Sequence, residues 1–212
     1  MSQQPDLSHE QRWWAQGYSK IAGLDEAGRG SWAGPVAAAV VVLPPDVHIA
    51  RLLEPVRDSK LLTPHARERC YDLIVRYAAG YGVGLVAAEE IDRIGILPAT
   101  RRAMGLALAA LAQSPDVLLI DALRLPGIDL PQEPLIKGDR FCLSIASASI
   151  LAKVTRDRWM TELDHELPAY GFARHKGYGT RAHLAALRAT GSSPQHRHTF
   201  APVRAIDEAQ HD

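Results

Sequence analysis

The 212-residue chain, 47% hydrophobic and 23% charged, has the make-up of an ordinary globular protein: enough for one well-filled core with a small appendage, too little for two large domains. Its 24 basic and 24 acidic residues cancel, so overall charge excludes nothing about a polyanion partner and only a local cluster can point to one. Two cysteines, Cys70 and Cys142, exclude a disulfide framework and a zinc-ligand spacing; each sits in an apolar stretch and reads as a small buried hydrophobe.

The N-terminus, MSQQPDLSHEQRWW, is too polar for a signal peptide, and Trp13 and Trp14 read as an anchor packing this arm onto the body. Residues 20–25 (KIAGLD) read as a short buried strand ending in acid. The glycine-rich turn EAGRGSWAG leads to a second strand, 36–43 (VAAAVVVL), which Pro44-Pro45 stops. Thr63-Pro64 supplies a capping hydroxyl and a proline at the first helical position; Ala66, Cys70, Leu73, Ile74 and Tyr77 keep helical spacing to Ala79, and Gly80 closes the helix. Residues 81–88 form a third strand, 99–113 a helix with a buried face, 117–121 (VLLID) a fourth strand ending in Asp, and 135–137 a fifth strand or extended loop. A long helix over 142–167 follows, then a loop punctuated by Pro168, Gly171, Gly177 and Gly179, then a helix capped by Thr180 and running to about Ala189. No run approaches the roughly 20 apolar residues of a membrane span. Strands first, then strands alternating with helices, predict an α/β fold with a mixed sheet.

Asp25 and Asp121 each end an apolar strand, and in open α/β sheets the functional crevice lies beyond the carboxyl ends of the strands. Glu26 follows Asp25 directly, and Asp139 follows the fifth apolar stretch. Singly, each is most simply a turn residue or helix cap. Four acids converging repel one another unless cations neutralise them, and oxygen-only ligands suit Mg²⁺ or Mn²⁺ over zinc. Two such ions about 4 Å apart activate water and stabilise the leaving oxygen of a phosphodiester. Consecutive strand residues point to opposite faces, so either Glu26 lies past the strand end or it contributes through its main-chain carbonyl.

Gly28-Arg29-Gly30 meets neither the dinucleotide nor the P-loop spacing. Its glycines let main-chain amides approach a phosphate or sugar while Arg29 offers a forked donor; a tight turn with a solvated arginine is the plainer reading. Asp58-Ser59-Lys60 is a turn leading into a helix, or brings Lys60 to a phosphate. Between residues 167 and 206 there is no acid, against Arg174, Lys176, Arg181, Arg188, Arg197 and Arg204 with His175, His183, His196 and His198, the footprint expected of a polyanion partner. His196 and His198 have no acid or thiol nearby in sequence and read as structural or phosphate-facing; Asp157, between two arginines, reads as an ion-pair or helix-face residue.

Together these motifs resemble ribonuclease HII, the bacterial type 2 ribonuclease H. The resemblance rests on residues 23–43 (GLDEAGRGSWAGPVAAAVVVL), 58–62 (DSKLL), 118–123 (LLIDAL) and 137–160, and on YGFARHKGYGT with SSPQHRHTFAPV within 170–203. It implies a ribonuclease H-like catalytic domain with an N-terminal arm over 1–167 and a basic helical C-terminal extension over 168–212 packed on the same domain. It implies Asp25, Glu26, Asp121 and Asp139 as catalytic and metal-binding acids for Mg²⁺ or Mn²⁺, two ions during catalysis. The expected reaction is hydrolysis of RNA in RNA–DNA hybrids and incision 5′ of single ribonucleotides in duplex DNA, leaving 3′-hydroxyl and 5′-phosphate ends. Gly28, Arg29 and Gly30 match the motif that grips the ribonucleotide around its 2′-hydroxyl, the group that tells RNA from DNA. Tyr178 matches the tyrosine that works with it at the RNA–DNA junction, and Lys60 and Lys176 are taken as further substrate contacts. A monomer in the cytoplasm, without a membrane partner, is expected. Ser31-Trp32 departs from the Pro-Leu of the family pattern and bears on substrate fit. Two other readings use the same residues: a resolvase-type nuclease acting on DNA alone, and a non-catalytic nucleic-acid binder, against which the intact acid set argues.

Overall fold

The computed structural model describes residues 4–209. In chain order its elements are α1 (Ser8–Trp14), β1 (Ile21–Ala27), β2 (Val36–Val42), α2 (Ile49–Leu52), α3 (Pro64–Tyr77), β3 (Gly80–Val86), α4 (Ala88–Ile94), α5 (Ile96–Ala109), β4 (Val117–Asp121), β5 (Gln132–Leu135), α6 (Leu143–Glu166), α7 (Phe172–His175), α8 (Arg181–Thr190) and α9 (Ala201–Ala209). One sheet runs in the order β3-β2-β1-β4-β5. β1 pairs antiparallel with β2, and β2 with β3, whereas β1–β4 and β4–β5 are parallel, the mixed sheet expected of the strand pattern.

The near-continuous apolar run of β2 follows from burial on both faces. Ala39 and Val41 face the layer containing α6, and Val36, Ala38 and Val40 face the layer containing α5. β3 meets α5 closely because it carries glycines there: a Cβ on Gly84 would lie 2.2 Å from the carbonyl oxygen of Ala103. Gly84→Ala therefore forces helix and strand apart. The expected cost is about 2–3 kcal/mol, a fall of the order of 5–10 °C in Tm, and thermal unfolding of the variant checks it.

The first half of α6 is buried all round and rich in Ala and Ser, which lets its axis lie close over β1 and β2. Its start is strapped by the N-terminal arm. The buried Glu10 carboxylate accepts the Ser144 N–H at 2.8 Å, placing negative charge at the helix N-terminus, and Asp6 takes the Leu143 N–H at 2.9 Å. Trp13 donates to Glu133 at 2.9 Å and Trp14 packs on the core, as expected of the arm. Cys70 and Cys142 are free and buried.

Several boundaries differ from expectation. β1 continues through Glu26 to Ala27, and the third strand stops at Val86 because Ala88 opens α4. α5 starts at Ile96 and tolerates Pro98 in its first turn, where the N–H groups have no helical partner. The fifth strand is Gln132–Leu135, so most of the expected 135–137 lies beyond it, where Lys137 turns the chain at φ 59°. α1, α4 and α9 were not foreseen. The Thr63 cap is present, its hydroxyl accepting the Ala66 N–H at 3.2 Å.

Residues 168–209 fold back on the far half of α6. A small core of Met160, Leu163, Tyr170, Phe172, Leu187 and Val203 includes Ala33 from the β1–β2 loop, and Ala33 forms an antiparallel bridge with His196. Among the described residues no helix is long and apolar enough to cross a membrane.

Candidate active site

The parallel pairing of β1 with β4 ends at Leu24–Ile120, so Asp25 and Asp121 are the next residue of each strand, side by side at the carboxyl edge of the sheet. Asp139 arrives from the 3₁₀ turn Gly138–Arg140 that follows β5. The same turn holds Asp121 in place: the Gly138 N–H donates to Asp121 Oδ1 at 2.7 Å. Lys60 reaches in from another 3₁₀ turn, its Nζ 3.6 Å from Asp139 Oδ2, and the buried Asp58 carboxylate caps that turn by accepting the Lys60 N–H at 2.9 Å. Four segments distant in sequence thus meet at one sheet edge.

Asp25 and Glu26 both belong to regular strand, which removes the option that Glu26 lies past the strand end. Alternation sends the two side chains to opposite faces. Asp25 is buried on the α6 side, and its Oδ1 accepts the Glu26 N–H at 2.7 Å. Glu26 Oε1 accepts from Arg29 at 3.1 Å, whereas its buried Oε2 has no hydrogen-bond partner. Burial, then the charges of Glu26 and Asp121, holds the Asp25 carboxyl well above the ordinary carboxylate range. Burial also raises Glu26 and Asp121, and the nearby charges of Asp121 and Asp139 respectively add to this. For Lys60, burial lowers the pKa, but the charges of Asp139, Asp58 and Asp25 outweigh it and the net displacement is upward.

Among the described residues, no three or more His, Cys, Asp or Glu stand close enough to hold a metal ion as they are. The donor chemistry nonetheless fits a hard divalent cation: oxygen ligands only, carboxylates destabilised by one another's charge, and one buried carboxylate oxygen without a partner.

Beside the carboxylates lies a cleft of about 210 Å³ lined by Glu26, Ala27, Gly28, Arg29, Ser59, Lys60, Ser149, Lys153 and Tyr178. Gly28 is buried at φ 91°, and a Cβ there would sit 2.0 Å from Arg156 Nε, so only glycine serves. Arg29 and Gly30 are exposed at the mouth. Tyr178 is half-buried, with Lys153 Nζ and Arg156 Cζ each 5.4 Å from its ring centroid. Lys176 lies outside this cleft: its ammonium donates to Thr161 of α6 and lines a separate groove of about 680 Å³, which also reaches Tyr178.

Two buried arginines fix the loop that carries the glycines. Arg156 donates to the carbonyls of Pro35 (2.8 Å), Ala33 (3.0 Å) and Lys176 (2.9 Å). Arg197 donates from Nε and Nη2 to Gly34 (3.1 and 2.9 Å) and from Nη1 to Arg29 (2.9 Å). Burial lowers both guanidinium pKa values, that of Arg197 to about 9.

Arg197 therefore does not belong to a solvent-facing basic lobe, and neither do His175, His183 and His196, all buried; Arg174, Arg181, Arg188 and Arg204 are exposed. His198 does find an acid, Asp207 Oδ2 at 2.7 Å, just past the acid-free stretch. Asp157 pairs with Lys153 at 2.7 Å, as its helix-face position suggested. Trp32 packs its ring on Gly179 and lies 5.4 Å from His183, so it props the Tyr178 loop from behind. Ser149, Lys153 and Arg156 escaped sequence reading. The visible signal was polar residues spaced along an otherwise apolar helix.

A family model described as ribonuclease HII matches residues 22–203. A ribonuclease HII of Chloroflexus aggregans is 62% identical over 200 residues, covering 94% of each chain. The solved ribonuclease H2 of Pyrococcus horikoshii superposes with a TM-score of 0.76 at 29% identity, covering 91% of this chain and 99% of that one. A structure of Bst-RNase HIII in complex with Mn²⁺ shares the fold, with a TM-score of 0.66 at 20% identity over 91% of this chain and 70% of that one.

Proposed function

The chain belongs to the ribonuclease HII family and is an endoribonuclease, and on that premise we propose that it cuts the RNA strand of RNA–DNA hybrids and incises duplex DNA 5′ of single ribonucleotides, leaving 3′-hydroxyl and 5′-phosphate ends. The observation that carries this reading is the placing of Asp25 and Asp121 one residue past the last pair of two parallel strands, beside a cleft rimmed by Gly28, Arg29 and Tyr178. Asp25, Glu26, Asp121 and Asp139 would hold Mg²⁺ or Mn²⁺, two ions during catalysis, with Glu26 offering its unpartnered Oε2 or its main-chain carbonyl. Such ions, when bound, supply an activated water and charge stabilisation of the leaving oxygen.

The protein's own residues do the reading and placing. Backbone groups around Gly28 and Gly30 approach the ribose 2′-hydroxyl, the donor and acceptor that DNA lacks, and Arg29 pairs with a phosphate oxygen. The Tyr178 ring stacks on the sugar of the following deoxynucleotide. Lys60, exposed beside Asp139, neutralises charge at the scissile phosphate, and Lys176 contacts the duplex farther along the adjoining groove. On this reading residues 1–167 form the catalytic domain and 168–212 an extension of it. The protein is taken as a monomer, and the buried free thiols Cys70 and Cys142 suit a reducing cytoplasm.

Three duplexes test the proposal: an RNA–DNA hybrid, a DNA duplex with one ribonucleotide, and its all-DNA twin, each with Mg²⁺, Mn²⁺ or EDTA. Cleavage of the first two, at the 5′ side of the ribonucleotide in the second, and silence in EDTA are expected. Cutting of the all-DNA duplex, or full activity in EDTA, refutes the proposal. In the same assay Tyr178→Ala is expected to lower incision at the lone ribonucleotide by roughly tenfold or more while sparing the long hybrid, the size of effect a lost base- or sugar-stacking ring produces.

A further inference from the structure

Three histidines that charge counting assigned to a basic surface are instead buried together behind the Tyr178 loop. His175 stacks on His183 with ring centroids 4.4 Å apart, and His183 lies 5.3 Å from His196, in a setting of Tyr170, Phe172 and Trp32. Their hydrogen bonds allow one arrangement of protons. The Ser193 main-chain N–H donates to His196 Nδ1 at 2.9 Å, and the Ser193 hydroxyl, also 2.9 Å away, can turn its proton toward the same nitrogen, so Nδ1 is bare and the His196 proton is on Nε2. His196 Nε2 faces His183 Nε2 at 3.1 Å, which must therefore accept, leaving the His183 proton on Nδ1. His183 Nδ1 in turn lies 3.0 Å from the carbonyl oxygen of Tyr178. His175 accepts the Gly177 N–H on Nδ1 at 3.2 Å and donates from Nε2 to Tyr170 at 2.8 Å.

Reversing the His183 tautomer would leave the Tyr178 carbonyl short of a donor and set two N–H groups against each other. A second proton on either ring also sets two N–H groups against each other, His183 Nε2–H against His196 Nε2–H or His196 Nδ1–H against the Ser193 N–H. Burial, with the neighbouring imidazole adding to it, accordingly lowers both His183 and His196 to about 4.

The loop they serve lacks regular structure, and Lys176 and Gly177 within it have positive φ. The Tyr178 carbonyl is held by His183 and by the Thr180 N–H at 2.9 Å. We propose that His196 and His183 are positioning residues for Tyr178, forming an uncharged hydrogen-bond relay of fixed direction from the main chain at Ser193 to the tyrosine carbonyl, so that the ring stands at the edge of the cleft. The proposal rests on the reading of Tyr178 as the contact to the deoxynucleotide after the ribonucleotide.

The test compares His183→Asn, whose amide nitrogen can replace Nδ1–H, with His183→Phe, which keeps the ring's bulk and removes both nitrogens. Expected is a loss in kcat/KM for His183→Phe of roughly tenfold on the single-ribonucleotide duplex, a smaller loss on the long hybrid, and substantial recovery in His183→Asn; a displacement of 1 Å can cost up to about a hundredfold. Equal losses on both substrates, or no difference between the two variants, overturn the relay. Should His183→Phe not fold, ¹⁵N NMR of the wild-type imidazoles decides: Nε2–H on His196 and Nδ1–H on His183, both neutral at pH 6, support it, and the opposite tautomers or protonation near pH 6.5 overturn it. Tyr178→Ala separates the two ideas. Unchanged incision by that variant refutes the tyrosine reading itself, whereas loss in Tyr178→Ala without loss in His183→Phe refutes the relay alone.

Discussion

Asp121→Asn is expected to lose cleavage by a factor of about a thousand or more, still bind an RNA–DNA hybrid, and melt at a higher temperature than the wild type in EDTA. Asparagine keeps an oxygen where Asp121 Oδ1 accepts the Gly138 N–H at 2.7 Å, so the turn that presents Asp139 stays in place. What disappears is a negative charge. Loss of about 4 kcal/mol of charge stabilisation in the transition state corresponds to three powers of ten in rate. The stability gain has the opposite origin. Burial and the charge of Asp139 raise the Asp121 pKa in the folded protein, so ionisation there costs more than in the unfolded chain. The folded state therefore gains stability as pH falls through the raised pKa, and at neutral pH the ionised carboxylate is destabilising; asparagine removes that penalty. Divalent cation should raise the wild-type Tm and affect the variant less. Cleavage, hybrid-binding and melting measurements with and without EDTA check the three parts. Retention of a tenth of wild-type cleavage would remove Asp121 from the chemistry.

The second large effect concerns stability. Arg156→Met fills a similar volume but leaves the carbonyls of Ala33, Pro35 and Lys176 without their donor in a dry interior. Removing one partner of such a buried network costs about 3–5 kcal/mol, or of the order of 10 °C in a domain of this size. Arg156→Lys should rescue little, because a compact ammonium lacks the planar fork that meets three acceptors at once. Both variants should also lose incision at a single ribonucleotide, since Arg156 touches Gly28 and lies 5.4 Å from the Tyr178 ring. Thermal unfolding checks the first point, and a shift in Tm below about 2 °C would contradict it.

How much of this was legible beforehand depended on whether the signal was local. Asp25 and Asp121 stood out because each terminates an apolar run, and the parallel pairing of those runs brings them together. Thr63-Pro64 announced its helix for the same reason. Glu26 was harder, since the strand continues two residues past the first acid with no change in pattern. Pro98 delayed the expected start of α5 because a proline in the first helical turn looks, in sequence, like a break. The basic C-terminal stretch was misjudged because the partners of Arg197 are main-chain carbonyls at positions 29 and 34, more than 160 residues away, which leave no mark on composition. His183 and His196 were hidden in the same way: their role lies in which nitrogen faces which neighbour, and periodicity carries no trace of that.

The loop bearing Gly28 and Arg29 is made among the first 35 residues, yet it is completed by His196, bridged to Ala33, and by Arg197. During translation, at about 5–20 residues per second, the acids at positions 25, 26, 121 and 139 leave the ribosome well before the segment that locks this loop. A nascent chain halted near residue 190 would carry all four acids and lack His196 and Arg197, which fasten the Gly28–Arg29 loop, so on the proposed reading the ribose contact is completed after the acid set.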